Sequence, residues 1–260
     1  QVLVLLPPSE GKTGPESGSR LKPSTLSFPG LAESRSHVFD ALVALCSGNK
    51  KQAATVLGLG PKQLDLVDIN ARLATAPTAP AIEIYTGVLY DALDFSTLPA
   101  TAKKRASTRV AISSALFGLL RPGDLIPQYR LSADTTIPGL GPLAEVWRDS
   151  VQAELRATTG PILDLRSGAY VKLGPLPAET ADRGFVGRIL LEKAGKRSVV
   201  SHHNKATKGL LVREILGASK APRSADDLPG FVEDLGFRVE VHQPKKPTDP
   251  CGLDIIVYTT

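Results

Sequence analysis

The 260-residue sequence contains no methionine, two cysteines and few aromatic residues, which make up 5% of the chain. Cys46 and Cys251 cannot form the disulfide framework of a small secreted protein, and alone they cannot make a zinc site. No apolar run approaches the roughly 18 residues that a transmembrane helix needs. We therefore expect a cytoplasmic protein without a membrane partner, whose numbering starts just inside the natural N-terminus.

The composition is typical of a folded chain, with 42% hydrophobic and 22% charged residues. Apolar runs predict buried strands near 2–6 and 110–116, with further strands at 170–173 and 198–201. Helical spacing predicts helices near 141–157 and from Asn204 to Leu216. Strands and helices do not alternate strictly, so the pattern favours a single α+β domain over 1–260, built on one mixed sheet.

Positive charge is concentrated in two segments of the sequence. Segment 103–130 contains six basic residues and one acidic residue, and segment 193–223 contains eight basic residues and one acidic residue. The net charge of the whole chain is only +5, so the remaining segments are acidic overall. This distribution indicates an anionic partner, either nucleic acid or a small phosphorylated or carboxylated molecule. The alternative is that these segments are ordinary solvated faces and helix ends.

The first candidate site residue is Lys12, which follows the predicted first strand. Gly11-Lys12-Thr13 resembles the end of a phosphate-binding P-loop, but Leu6 stands where that motif needs its first glycine. We therefore expect no P-loop. Lys12 instead becomes a candidate anion-binding residue at the carboxyl end of a strand, where open sheets place their ligand loops.

A second candidate is a helix-hairpin-helix element over about 37–73. Its turn would hold Gly58 and Gly60, which permit close backbone approach to a phosphate, and Lys62, which would add a charge. This pattern predicts contact with double-stranded or branched DNA without sequence preference. The same residues also suit a plain glycine-terminated helix followed by a helix that begins at Pro61.

The remaining candidates are basic and tyrosine side chains at strand and turn ends. We predict that they converge on one basic, anion-binding cleft: Lys12, Tyr85, Arg121, Tyr129, Arg130, Arg166, Lys205 and Lys208. The arginines could instead pair with carboxylates such as Asp124 and only fix their loops. Adjacent His202 and His203 at a strand end would point to opposite faces, so we predict no metal site and no cofactor.

Four of these segments occur in the order found in one known family. They are the loop with Lys12, the triplet Tyr85-Thr86-Gly87, the stretch 119–130 and the segment 205–209. The chain resembles the YaaA family, known as peroxide stress proteins, over essentially its whole length. Two segments differ from better-known members: Pro-Pro-Ser-Glu-Gly-Lys replaces Ser-Pro-Ala-Lys at the first loop, and His202-His203 replaces a pair such as Phe-Tyr.

The resemblance implies an α+β domain with a basic cleft and a DNA-binding helix-hairpin-helix insertion. It also implies a role in bacteria, where members limit oxidative damage by keeping free iron low under hydrogen peroxide. Two hypotheses follow for this chain. It either protects DNA by gripping phosphates, or it is an enzyme acting on a small anionic substrate with a lysine or tyrosine as acid or base. One deep pocket would favour the enzyme, whereas a groove continuous with the hairpin would favour DNA.

Overall fold

The structure is a computed structural model that describes residues 1–258. Its strands are β1 (Leu3–Leu6), β2 (Thr78–Pro80), β3 (Val110–Ser114), β4 (Gly118–Leu120), β5 (Leu125–Pro127), β6 (Thr136–Ile137), β7 (Gly141–Pro142), β8 (Ile162–Asp164), β9 (Gly184–Lys193), β10 (Lys196–Ser198), β11 (Arg238–His242) and β12 (Cys251–Tyr258).

The α-helices are α1 (Ala32–Ser47), α2 (Lys50–Val56), α3 (Asp65–Ala71), α4 (Ala81–Ile84), α5 (Val88–Leu93), α6 (Ala100–Arg109), α7 (Leu143–Ala157), α8 (Gly168–Val171), α9 (Ser201–Gly217) and α10 (Asp227–Asp234). Short 3-10 helices lie at Pro23–Thr25, Pro29–Leu31, Pro61–Gln63, Phe95–Thr97 and Ala178–Arg183. None of the helices in residues 1–258 is both long and apolar enough to cross a lipid bilayer.

One eight-stranded mixed sheet organises the fold. Its strand order is β11-β12-β9-β8-β1-β3-β4, and β10 pairs with the carboxyl end of β9. The five strands from β12 to β3 run parallel, whereas β4, β10 and β11 are antiparallel to their neighbours. The prediction of an α+β fold with one mixed sheet is therefore confirmed.

The central strands β1 and β3 are buried, and most of their residues are apolar. All four residues of β1 and all five of β3 are buried, as expected of strands covered by helices on each side. Leu3, Val4 and Leu5 pair with β8 on one side, and Val4, Leu5 and Leu6 pair with β3 on the other. This arrangement brings the carboxyl ends of three strands together.

Helices α5 and α9 pack closely together beside the carboxyl ends of these strands. Helix α9 lies directly on α5, and a Cβ added to Gly209 would collide with the carbonyl oxygen of Leu89. Glycine is therefore required for the two backbones to approach each other this closely. The contact sets the position of the side chains on neighbouring turns of α9.

Two predictions of local structure are wrong. The segment 170–173 is not a strand, because helix α8 begins after Ser167 and its first turn contains Tyr170. The segment 198–201 is not one strand either, since β10 ends at Ser198 and helix α9 begins at Ser201. Lys205 and Lys208 consequently lie beyond the first turn of α9, and His202 and His203 are helical residues rather than strand residues.

Candidate functional site

The candidate site lies where β1, β3 and β8 end. Strand β1 leads into the loop that carries Lys12, β3 ends at Ser114, and β8 ends at Asp164. Open parallel sheets bind ligands in the crevice outside the carboxyl ends of their strands, since the loops from several strands converge there.

Lys12 is held against two tyrosine rings. Its Nζ lies 4.5 Å from the ring centroid of Tyr129 and 5.7 Å from that of Tyr85. The pKa of Lys12 is lowered from 10.5 to about 8, mainly because the side chain is buried; the charge of Glu10 opposes this shift and that of Arg130 adds to it. Within residues 1–258, the one hydrogen bond donated by this amine goes to the carbonyl oxygen of Glu10, at 3.4 Å. Lys12 can therefore gain or lose a proton near neutral pH.

The backbone around Lys12 is fixed by the segment that carries Tyr85. Lys12 and Tyr85 form an isolated antiparallel bridge. The amide of Thr13 donates to the carbonyl of Ile84 at 2.9 Å, and the amide of Thr86 donates to that of Gly11 at 3.2 Å. The two candidate residues thus face each other although 73 positions separate them in the sequence.

A chain of three buried hydroxyl groups extends from the rings beside Lys12. The Oη atoms of Tyr85 and Tyr129 are 2.8 Å apart, and the Oη of Tyr129 lies 2.7 Å from the Oγ of Ser114. The Ser114 Oγ accepts the amides of Leu116 and Phe117, so its own proton is donated to Tyr129. The three hydroxyl groups have three protons, but only two hydrogen bonds connect them. One tyrosine O–H is therefore left without an acceptor among the described residues.

Desolvation keeps these tyrosines protonated. Burial raises the pKa of Tyr85 to about 12, and it raises the pKa of Tyr129 well above its usual range. Both side chains are about 2% exposed. Near neutral pH the tyrosines therefore act as hydrogen-bond donors, whereas Lys12 is the group that can exchange a proton.

Glu10 lies between Lys12 and the neighbouring cations. Its carboxylate contacts the guanidinium of Arg130 at 3.3 Å and accepts from the hydroxyls of Ser132 at 3.1 Å and Tyr170 at 3.4 Å. The backbone of Arg130 is held on both sides by the buried amide of Asn70, which donates to its carbonyl at 2.7 Å and accepts its N–H at 2.8 Å. Helix α3 thereby helps to position the site.

A cavity of about 530 Å³ opens beside Glu10. It lies between the loop 7–11, α5, the start of α8 and helix α9. Lys205 and Lys208 of α9 line it, and so do Glu10 and Tyr170. Its size suits a small organic molecule. Of the predicted cleft residues, Lys208 and the more exposed Lys205 line this cavity. Lys12, Tyr85, Tyr129 and Arg130 form an adjacent cluster, which is connected to the cavity through the loop 7–11 and through Glu10, the partner of Arg130.

Arg166 is adjacent to this region but already has a partner. Its Nε and Nη2 bind both oxygens of Asp164 at 2.9 and 2.7 Å, and Nη2 also donates to the carbonyl of Gly174 at 3.0 Å. Both side chains are essentially inaccessible to solvent. The geometry makes Arg166 a partner of Asp164, and Arg166 does not line the cavity.

Arg121 lies elsewhere and does not join the predicted cleft. Its guanidinium stacks on Phe28 at 4.7 Å and donates to the carbonyls of Val110, at 2.8 Å, and Thr108, at 3.2 Å. Val110 is the first residue of β3, so Arg121 lies at the amino ends of the parallel strands, whereas Lys12 lies at their carboxyl ends. Strand β4 runs antiparallel to β3, so Arg121, which follows β4, lies near the beginning of β3.

The predicted hairpin consists of α2, a turn and the short helix α3. Gly58 has φ of 64° and needs glycine, whereas Gly60 has φ of −77° and is extended. Any residue can adopt the φ of Gly60. Lys62 is exposed. The amide of Gly60 is already bound by the side chain of Gln63 at 3.1 Å.

Three residues of the site were not found from the sequence. Glu10 had a signal, because it stands two positions before Lys12 in the same loop, and Ser114 lies within a predicted strand. Asn70 had none, since only the fold brings it to Arg130. In residues 1–258, no group of three or more His, Cys, Asp or Glu side chains is arranged to hold a metal ion.

Comparison with known proteins adds independent information. Residues 2–243 match the sequence model of a family described as peroxide stress protein YaaA. A UPF0246 protein of Streptomyces coelicolor is 45% identical over 259 residues, which cover 99% of each chain. UPF0246 proteins of Corynebacterium efficiens and Corynebacterium glutamicum are 38% and 39% identical over 251 residues, covering 95% of this chain and 98% of theirs. The chain belongs to the peroxide stress protein YaaA family.

Proposed function

We propose that the protein supports survival under peroxide by acting on a small anionic molecule in the cytoplasm, with Lys12 as the acid or base. The observation that carries this proposal is the amine of Lys12, held 4.5 Å above the ring of Tyr129 with a pKa near 8. A general acid or base is most effective when its pKa lies close to the working pH.

The neighbouring groups support acid–base chemistry on an anion. Arg130 supplies positive charge, and one tyrosine hydroxyl is free to donate to a substrate oxygen. Such donors, fixed before the substrate arrives, stabilise negative charge that develops during a reaction. The cavity is bounded by the loop 7–11 and α9, and no residue of the hairpin 58–62 lines it. This favours a small substrate over a DNA strand as its occupant.

The test compares two changes at Lys12 in a peroxide-survival assay with a deletion strain. Lys12→Met removes the amine, and Lys12→Arg keeps the charge but cannot release its proton near neutral pH. We expect both variants to lose protection, because losing a general acid or base costs about 100-fold or more in rate. Lys104→Met, at an exposed lysine of α6, is the matched control and should protect normally. Wild-type survival with Lys12→Arg would rule out the acid–base role.

DNA binding by the hairpin is a second proposed function, through which the protein would shield DNA from free-iron damage. It is supported by the exposed turn, where Gly58 adopts a positive φ beside Lys62. Asn70 of α3 also ties this element to Arg130. Asp65 and Asp68 in the first turn of α3 oppose phosphate binding, which is why this function ranks second.

Changing Lys62 tests the hairpin directly. We expect Lys62→Glu to weaken binding to all duplex sequences and to reduce the salt dependence of affinity by about one phosphate contact. Lys246→Glu makes the same charge change in an exposed loop after β11, and it should affect binding less. A gel-shift series across salt concentrations measures both variants. Equal affinities for wild type and Lys62→Glu would exclude a hairpin contact.

A further inference from the structure

The cavity beside Glu10 has two chemically different walls. Helix α9 contributes Lys205 and Lys208, and its first residue, Ser201, also reaches the cavity. The facing wall contains apolar and aromatic side chains, namely Val88, Leu89 and Tyr90 of α5. A molecule that fills this space would place a charged group against α9 and an organic body against α5.

Lys208 is a largely buried residue that lines this space, and its ammonium group has no partner among the described residues. The residue is 8% exposed, and its Nζ makes no hydrogen bond or ion pair with any residue from 1 to 258. Burial lowers the pKa of Lys208, and the positive charge of Lys205 lowers it further. A buried charge is costly unless it is paired. The structure therefore keeps Lys208 at a position that favours a bound anion.

The acidic side chains near the two lysines already have partners. Glu10, which lines the same cavity, contacts Arg130 at 3.3 Å. Asp164 favours the charged form of Lys208, but both of its oxygens bind Arg166. That pair is neutral as a unit. Lys205 and Lys208 thus present two positive charges to the cavity, and the N-terminal end of the 17-residue helix α9 adds a partial one.

We infer that Lys205 and Lys208 bind the phosphate of a phosphomonoester whose organic body packs against α5. This inference rests on the proposed function and names the substrate class of the same site. A phosphomonoester carries close to two negative charges at neutral pH, which matches two lysines better than the single charge of a diester or carboxylate. The volume of about 530 Å³ exceeds what inorganic phosphate alone would fill.

The position of Lys208 is set by its neighbour in the sequence. Gly209 lets α9 contact the backbone of α5, so the lysine is placed on a rigid wall rather than on a mobile loop. A group held in this way loses little freedom when a ligand binds.

The test is calorimetric titration of the full chain with four probes: phenyl phosphate, its monomethyl diester, benzoate and inorganic phosphate. We expect phenyl phosphate to bind more tightly than the diester and benzoate. Lys208→Met should weaken its binding by about 10- to 100-fold, the usual effect of losing a hydrogen bond to a charged group. Lys205→Met, at an exposed position where folding is not at risk, should weaken it in the same direction. Lys104→Met is the control with equal charge loss.

Three outcomes would overturn the inference. They are the absence of binding by both phenyl phosphate and inorganic phosphate at millimolar concentration, equal binding of the diester, and unchanged binding by Lys205→Met and a folded Lys208→Met. Displacement of phenyl phosphate by a duplex without terminal phosphates would assign the lysines to DNA instead. Lys12→Met separates the two proposals, because it should abolish peroxide survival while phenyl phosphate still binds.

Discussion

Replacing Arg166 by methionine is expected to lower the free energy of unfolding by about 3 to 5 kcal/mol. The change leaves the carboxylate of Asp164 buried, at 1% exposure, after it loses two hydrogen bonds of 2.9 and 2.7 Å. It also leaves the carbonyl of Gly174 without its donor. An uncompensated buried charge is far more costly than the loss of an exposed ion pair, so this pair should dominate the stability of the segment after β8.

Urea unfolding at pH 7 measures this effect. Arg156→Met provides the control, because Arg156 pairs with Glu179 at 2.9 Å on the surface and its loss should cost less than about 1 kcal/mol. The double variant Asp164→Leu with Arg166→Met should recover much of the lost stability, since it removes both charges. A cost for Arg166→Met as small as that of the control would show that Asp164 is solvated.

The second large effect is the pH dependence of stability caused by Lys12. Unfolded chains hold this proton up to about pH 10.5, whereas the folded protein releases it near pH 8. Between these values the unfolded state binds more protons, so the contribution of Lys12 to stability rises with pH. Each pKa unit corresponds to about 1.4 kcal/mol. Lys12→Met should therefore be more stable than wild type at pH 7 by about 3 to 4 kcal/mol.

The difference between the two proteins should shrink through pH 8 to 10 and vanish near pH 10.5. Buried tyrosines act in the opposite direction, because the raised pKa of Tyr85 makes the folded protein less stable above pH 10. This contribution is present in both proteins and cancels in the comparison. Thermal or urea unfolding at a series of pH values measures the difference. A difference that does not change with pH would mean that Lys12 titrates normally.

The sequence predicted the parts of the fold that depend on short-range patterns. Strand β1 was identified from a continuous apolar run and β3 from the shorter run Val-Ala-Ile, since apolar runs are typical of buried parallel strands. The wrong strand at 170–173 shows the limit of that approach. Tyr170 and Val171 are residue types that favour a strand, but a helix begins at Gly168. A helix of four residues is too short for its residue pattern to be distinguished from that of a strand.

The candidate site was predicted where its residues follow strand ends. Lys12, Tyr85, Tyr129 and Arg130 were identified in this way, and Lys208 was identified from the basic segment of α9. Arg121 failed because the direction of its side chain depends on the antiparallel turn into β4. Asn70 was missed because its two hydrogen bonds to Arg130 span 60 residues. Contacts of that range are set by the packing of α3, which local patterns do not encode.

The position of β12 between β9 and β11 has a consequence for synthesis on the ribosome. Strand β11 pairs with β12 and with no other strand in the described chain, so it cannot join the sheet before residues 251–258 have emerged. Until then, β9 presents unpaired backbone groups along the side that β12 later covers. Such an edge can pair with another nascent chain. Pairing of β12 with β9 therefore covers an edge that would otherwise promote aggregation.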